Sequence, residues 1–278
     1  MKILSKVFMV IIIVSSSSYA QQNALMNKFE ENKVKDLQSV ILNDINTGIK
    51  AVESPYYFSV DDWLTTGLVL GATSLVMTMD RSIRVGVQKQ HSHTLDSFLP
   101  YAEYYGRGHL VLAGGGILYL TGLISGNEDI TQTGRMLTQA LVVTGVYTVG
   151  MKFLLGRSRP YENEGPYSVE GLQTKNEDNS LPSGHTSTAF AVSTVLSRKF
   201  DNIFASILLY GLAGATAYQR VYSDSHWFSD TMLGAAIGIF VGNKVYDLNN
   251  PSKQEENKLA VNPFYVSNGL GLSLSYTF

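Results

Sequence analysis

The sequence predicts an all-α protein, a bundle of six helices that we expect to be embedded in a membrane. Hydrophobic residues make up 45% of the chain and charged residues only 16%, whereas about 25% is usual for charged residues in soluble domains. The apolar residues form six runs near the length that crosses a bilayer, at 62–79, 108–125, 134–155, 184–197, 203–218 and 227–247. All six are rich in Gly, Ala, Ser and Thr, as closely packed membrane helices are. A soluble helical core is the alternative, because a mean hydropathy of +0.04 is low for a membrane-embedded chain.

Residues 1–20 resemble a secretory signal peptide. Lys2 and Lys6 precede a short apolar core at 7–14, and small residues at 18–20 offer a cleavage site. Such a signal indicates export in a bacterium, and the lack of cysteine in the sequence is compatible with an oxidising compartment. An uncleaved first membrane helix is the alternative, although the apolar core is short for a span.

Residues 21–58 are interpreted as an amphipathic segment. Apolar side chains recur there at helical spacing among polar ones, at Val34, Leu37, Val40, Ile41 and Ile45. A helix of this kind can lie on a membrane surface or pack against the main domain, and the pattern does not distinguish the two.

The main domain is expected at 59–248, and a capping box at Ser59 precedes its first apolar run. A polar linker and a β tail follow at 249–278. After Asn268-Gly269, apolar residues alternate with others up to the last residue. This alternation predicts a short C-terminal β-hairpin.

A His and an Asp stand four residues apart around the start of the last apolar run. On a helix, His226 and Asp230 would share one face. The carboxylate could then accept the imidazole Nδ1–H and leave Nε2 free as a nucleophile or ligand. Gly234, Gly238 and Gly242 continue that face, which predicts close contact with a neighbouring helix. The His–Asp spacing alone is more often a surface hydrogen bond, so its context decides its role.

Two earlier stretches supply that context. Residues 152–160 (KFLLGRSRP) close one apolar run, and residues 181–186 (LPSGHT) open another. With residues 219–230 (QRVYSDSHWFSD), they resemble the signature of the type 2 phosphatidic acid phosphatase (PAP2) superfamily, which is shared with vanadium haloperoxidases. That signature is Lys, six residues, Arg-Pro; then Pro-Ser-Gly-His; then Ser-Arg, five residues, His, three residues and Asp. Every defining position matches except Gln219, where the family has Ser, and the resemblance covers roughly residues 60–247.

The residue types suit phosphoryl transfer, in which positioned cations and N–H donors lower the barrier. Lys152, Arg159 and Arg220 supply cations. Ser183 and Gly184 lie where a helix begins, so their backbone N–H groups can face an anion. If six helices alternate up and down, all these residues come to one end of the bundle. We therefore expect a single phosphate-binding site there.

The resemblance implies a role for each remaining motif residue. His226 would attack phosphorus to form a phosphohistidine, and Asp230 would orient it. His185 would protonate the leaving oxygen and then activate water. The two imidazoles then need opposite protonation states, so we expect their surroundings to separate their pKa values. No metal or other cofactor is implied.

Other polar residues have plainer interpretations. His91 and His93 are expected to be loop residues without a metal, and Asp80 and Arg81 can pair with each other where the first apolar run ends.

The predicted function is a metal-independent phosphatase acting on a lipid phosphate or pyrophosphate: phosphatidic acid, phosphatidylglycerophosphate, undecaprenyl pyrophosphate or lipid A phosphates. A net charge of −2 gives no indication of nucleic-acid binding, and the oligomeric state stays open.

We expect the protein to lie in the bacterial inner membrane with its site facing the periplasm, although a cleaved signal and six spans would place the motifs on the cytoplasmic side. The alternatives are a soluble periplasmic acid phosphatase of broad specificity, a vanadate-dependent haloperoxidase in which His226 ligates vanadium, and a non-catalytic membrane scaffold.

Overall fold

The computed structural model describes residues 30–172, 179–251, 258–266 and 269–277. The predicted signal peptide and most of the predicted linker lie outside the described residues.

Nine α-helices follow one another in the described part of the chain. They are α1 (Glu30–Glu53), α2 (Val60–Met77), α3 (Asp80–Gln88), α4 (His93–Phe98), α5 (Gly108–Ser125), α6 (Glu128–Leu155), α7 (Gly184–Phe200), α8 (Ile203–Tyr222) and α9 (Phe228–Asn249). The six apolar runs correspond to α2 and α5 to α9, and α1 covers most of the amphipathic segment. The prediction of a six-helix bundle is therefore wrong in its count, because α3 and α4 are too short and too polar to produce an apolar run.

Side-chain caps decide where two of the helices begin. The Ser59 hydroxyl accepts the Asp62 N–H at 3.2 Å and the Asp62 carboxylate accepts the Ser59 N–H at 2.9 Å, which confirms the predicted capping box. Asn127 Oδ1 accepts the Asp129 N–H at 3.1 Å, so that α6 begins before its apolar run. The first turn of α6 is polar, which is why hydropathy alone places its start too late.

Helix α7 packs against α6, α8 and α9 and is the central helix of the site. Its contact with α9 is close, because a Cβ on Gly238 would lie 2.3 Å from the Ser187 carbonyl oxygen, and Gly234 and Gly242 make similar contacts. The prediction that this glycine face packs against a neighbouring helix is confirmed. Backbone contact therefore sets the position of α7 relative to α9.

The outer surface of the bundle is rich in exposed apolar side chains. Ile117 and Leu120 of α5 are 64% and 57% exposed, and Phe204 and Ile207 of α8 are 78% and 64% exposed. Among the described helices, α5 and α6 are long and apolar enough to cross a membrane by length and composition. An apolar surface of this extent is unusual for a monomeric soluble protein.

The three motifs meet at one end of the bundle. Helix α6 ends just after Lys152, and α7 begins next to His185. Helix α8 ends just after Arg220, and Asp230 lies in the first turn of α9. The Ser183 N–H donates to the Asp230 carbonyl oxygen at 3.0 Å, which joins the starts of α7 and α9.

The described chain ends in an antiparallel hairpin. Strand β1 (Lys258–Val266) pairs with β2 (Gly269–Thr277), with Val266 opposite Gly269.

Candidate active site

His226 lies in the turn between α8 and α9, and it is only 3% exposed. Its N–H donates to the Arg220 carbonyl oxygen at 3.1 Å, and its Nδ1 lies 3.6 Å from Asp230 Oδ2. The expectation that both residues share a helix face is wrong for His226, because α8 ends at Tyr222 and Asp224 takes a left-handed φ of 58°. The turn nevertheless brings the imidazole to the carboxylate, at a distance longer than a hydrogen bond.

Asp230 is held by two donors besides its contact with the imidazole. Its Oδ2 accepts the Trp227 N–H at 2.8 Å, at the start of α9. Its Oδ1 accepts from Arg157, whose guanidinium also binds Asp80 at 2.8 Å and the Ser229 hydroxyl at 2.8 Å. Asp230 and Arg157 are fully buried, and Asp80 is nearly so. The carboxylate that faces His226 therefore has a fixed orientation.

Two residues of this network were missed or misassigned from the sequence. Asp80 pairs with Arg157, so the expected Asp80–Arg81 pair is wrong. Arg157 lies inside the first motif, two residues before Arg159. The repeated Arg within one short motif was the available signal, since two guanidinium groups so close together need different partners.

The three predicted cations lie together around the two histidines, but they are satisfied to different degrees. Lys152 is buried and its Nζ donates to the Asn179 carbonyl oxygen. Arg159 Nη1 donates to the Ser225 carbonyl oxygen at 3.1 Å. The Nε atoms of Arg159 and Arg220 are buried and, among the described residues, have no hydrogen-bond acceptor. Two guanidinium donors thus remain available to an anion.

The start of α7 differs in part from its prediction. Ser183 uses its N–H to bind the Asp230 carbonyl oxygen, so this N–H does not face an anion. Gly184 begins α7, where the first N–H groups of a helix have no partner within the helix. The anion-binding role of Gly184 stays a prediction, and that of Ser183 is reduced to joining α7 to α9.

Both histidines have lowered pKa values. Burial lowers the pKa of His226 to about 3, although the nearby Asp230 carboxylate opposes the shift. Burial, followed by the charge of Arg220, lowers the pKa of His185 to about 4, and Glu103 opposes this shift. The expected separation of the two pKa values is therefore absent from the site without a substrate.

Glu103 is another residue of the site that the sequence did not reveal. It belongs to the 3-10 segment Leu99–Gly106, and its carboxylate lies 2.8 Å from Arg220 Nη1 and 3.5 Å from His185 Nε2. Arg107 binds the same carboxylate at 3.1 Å. The i, i+4 spacing of Glu103 and Arg107 is visible in the sequence. Both residues lie far from the three motifs along the chain, so the sequence does not indicate that they belong to the site.

The site as a whole combines a buried histidine–carboxylate pair, a second histidine and three cations at the ends of four helices. Such an arrangement is suited to bind a tetrahedral oxyanion and to attack it with an imidazole.

The comparison with protein families agrees with this class of site. Residues 134–253 match the model of the PAP2 superfamily. The matched segment contains all three motifs, from Lys152 to Asp230. The predicted resemblance to the PAP2 superfamily is thus confirmed for this part of the chain.

The relatives include two proteins of Porphyromonas gingivalis. The lipid A 1-phosphatase is 39% identical over 87 residues, which are 30% of this chain and 20% of that protein. The lipid A 4'-phosphatase is 33% identical over 123 residues, which are 43% of this chain and 51% of that protein. The chain thus spans from a fifth to about half of the length of these relatives.

A solved structure supports the fold. The transmembrane PAP2-type phosphatidylglycerolphosphate phosphatase from Bacillus subtilis superposes with a TM-score of 0.52 at 18% sequence identity, covering 69% of this chain and 96% of that one. At this identity the likeness concerns the fold alone.

Proposed function

We propose that this chain is a metal-independent phosphatase that removes phosphate from a lipid through a phosphohistidine on His226. The observation that carries the proposal is a buried, uncharged His226 at the end of the bundle where Arg159 and Arg220 have Nε–H donors that are buried without an acceptor among the described residues. A phosphate ester has oxygens for those donors and an electrophilic phosphorus for the imidazole.

In the first step, His226 Nε2 attacks phosphorus, and the P–O bond to the lipid alcohol breaks. Nδ1 of the same ring faces Asp230, whose negative charge stabilises the imidazolium that develops. His185 gives its proton to the leaving oxygen, so the lipid departs as a neutral alcohol. Lys152, Arg159 and Arg220 stabilise the charge on the phosphoryl oxygens.

In the second step, water attacks phosphorus and the P–N bond breaks. His185, now neutral, takes a proton from the attacking water, and inorganic phosphate leaves. His226 returns to its free base and His185 to its protonated form, so the cycle is balanced in atoms and charge.

The lowered pKa of His226 suits a nucleophile, because the ring carries no proton on Nε2 at neutral pH. His185 has the opposite need. A bound phosphate dianion raises the pKa of a neighbouring imidazole, so we expect the substrate itself to bring about the separation that the site without substrate lacks.

A lipid is the substrate class that the surface and the relatives favour. The apolar exterior of α5 and α8 and the two bilayer-length helices suit a protein at a membrane. Two relatives carry names that specify phosphates of lipid A. We propose that the protein lies in the bacterial inner membrane with its site facing the periplasm, and we include phosphatidic acid, phosphatidylglycerophosphate and undecaprenyl pyrophosphate among the candidate substrates.

The test is phosphate release by the purified protein in detergent with a metal chelator, over those lipids, lipid A and a soluble phosphomonoester. We expect the wild type to act best on a lipid. We expect the kcat of His226→Ala to be at least about a thousandfold lower than that of the wild type. Brief reaction with a ³²P-labelled substrate should label the wild type in an acid-labile bond and leave His226→Ala unlabelled. A chelator-sensitive reaction, a soluble phosphate as the best substrate, or an active His226→Ala would each overturn the proposal.

Lys199→Ala is the control for these measurements. Lys199 binds Asp129 at the opposite end of the bundle, so its loss should leave phosphate release unchanged.

A further inference from the structure

A carboxylate with no part in the mechanism above lies inside the phosphate site. Glu103 contacts Arg220 at 2.8 Å, and it lies 3.5 Å from His185 Nε2. An acid beside an anion site repels the substrate, so its presence there requires a compensating role.

The backbone around Glu103 is tightly placed against the helices that carry the two partners. A Cβ on Gly106 would lie 2.4 Å from the His185 carbonyl oxygen, so this glycine allows the segment to touch the start of α7. The Thr216 hydroxyl of α8 donates to the Ala102 carbonyl oxygen at 2.7 Å. Residues on both sides of Glu103 are thus fixed to α7 and α8, and the Glu103 side chain is only 22% exposed.

We propose that Glu103 is a positioning residue that keeps a proton on His185 beside the leaving oxygen. This inference rests on the proposed function of the site.

The charges around His185 explain why a carboxylate is needed. Arg107 directly follows the segment that carries Glu103, Arg220 comes from α8, and Arg159 comes from the loop after α6. Helices α6 and α9 also pack against α7 and bring Lys152 and Asp230 to this end. Burial and the cations lower the pKa of His185, and Glu103 opposes them. The proton that His185 must donate therefore depends on negative charge from the substrate and from Glu103.

Glu103→Gln tests this role, because it removes the charge and keeps the shape. An acid works only while it is protonated, so a lower pKa of His185 moves the alkaline limb of the kcat profile to lower pH. We expect that limb to move by about one pH unit. On the alkaline side kcat then falls about tenfold, whereas the plateau at low pH changes little. Glu103→Asp should restore part of the shift.

The matched control is Glu128→Gln. Glu128 is 78% exposed at the other end of α6 and lies 3.5 Å from Arg135. The pH profile of kcat for Glu128→Gln should therefore follow that of the wild type. If Glu103 merely supports the fold or Arg220, Glu103→Gln will raise KM at every pH and leave the alkaline limb in place. That result would overturn the inference.

A second readout separates this inference from the proposed function. The chain has five histidines, and the His185 ring signal can be assigned in a proton NMR spectrum by its loss in His185→Gln. With inorganic phosphate present, the titration midpoint of His185 should be about one unit lower in Glu103→Gln than in the wild type. A lower midpoint in a protein without phosphatase activity would refute the proposed function alone, and an unmoved midpoint would refute the role of Glu103.

Discussion

Both ends of the helical bundle carry basic side chains, but the two ends use them differently. At the end away from the motifs, Arg198 lies 2.6 Å from Asp247, and Lys199 binds Asp129. At the motif end, Arg159 and Arg220 have buried Nε–H groups that lack an acceptor among the described residues. A buried donor without a partner costs stability. The comparison teaches that the paired charges hold the helices together, whereas the incompletely paired ones suit the phosphate-binding role that we propose for them.

Arg157 lies two residues from Arg159, but it is paired with carboxylates as Arg198 and Lys199 are. It binds Asp80 and Asp230, and all three side chains are buried. Proximity to the site is therefore not what leaves a guanidinium incompletely paired.

The largest effect on stability is expected from Arg157→Ala. This change leaves two buried carboxylates without their partner, and breaking a buried ion pair costs about 3–5 kcal/mol of unfolding free energy. Denaturant unfolding in detergent, followed by tryptophan fluorescence, measures the loss. The double variant Arg157→Met with Asp80→Asn removes charges of both signs and should lose less. A loss below about 1 kcal/mol for Arg157→Ala would mean that this network resembles a surface ion pair.

A smaller and purely functional effect is expected from Arg220→Lys. The lysine keeps the charge but cannot offer two donors to two phosphoryl oxygens. We expect kcat/KM to fall about a hundredfold, with an unchanged unfolding midpoint. An equal loss of stability would show that Arg220 is a structural residue like Arg157.

The pH dependence of stability gives the next effect. Burial depresses the pKa of His226 to about 3, so the folded protein holds this ring neutral while the unfolded chain protonates it below about 6.5. The unfolded state then binds more protons, and stability falls as the pH drops from about 6.5 toward 3, by up to about 1.4 kcal/mol per pH unit for this group. His185, whose pKa burial lowers to about 4, adds to the same slope. Unfolding titrations between pH 7.5 and 5 should show this slope, and His226→Gln should make it less steep. A slope that persists unchanged in His226→Gln would place the responsible group elsewhere.

The smallest effect is expected from Arg198→Lys, the counterpart of Arg220→Lys at the other end. The Arg198 side chain is 20% exposed and keeps one carboxylate partner in either form. We expect a change within about 0.5 kcal/mol and unaltered phosphate release. A loss of activity similar to that of Arg220→Lys would refute the distinction between the two ends.

Local patterns predicted most of the helices and the motif residues, and tertiary contacts decided the rest. Apolar runs located α2 and α5 to α9 because hydropathy acts over a single helix. The motifs located His185 and His226 because their chemistry is confined to short stretches. The pairing of Arg157 with Asp80 joins residues 77 positions apart, and no local pattern carries that information.

Two further differences arise from backbone geometry. His226 lies in a turn because Asp224 takes a left-handed conformation, which helical spacing alone does not indicate. The Ser183 N–H is used between α7 and α9, so its place at a helix start did not predict its partner. In both cases the sequence identified the residue, but it did not indicate the direction in which the backbone or side-chain groups of that residue point.

The glycine contact between α7 and α9 has a consequence for how this site can evolve. Gly234 and Gly238 let the two backbones touch, and these helices begin beside His185 and Asp230. A separation set by main-chain atoms does not change when nearby side chains are exchanged. The residues around the site can therefore diverge, while the spacing between the helix starts that carry His185 and Asp230 stays the same.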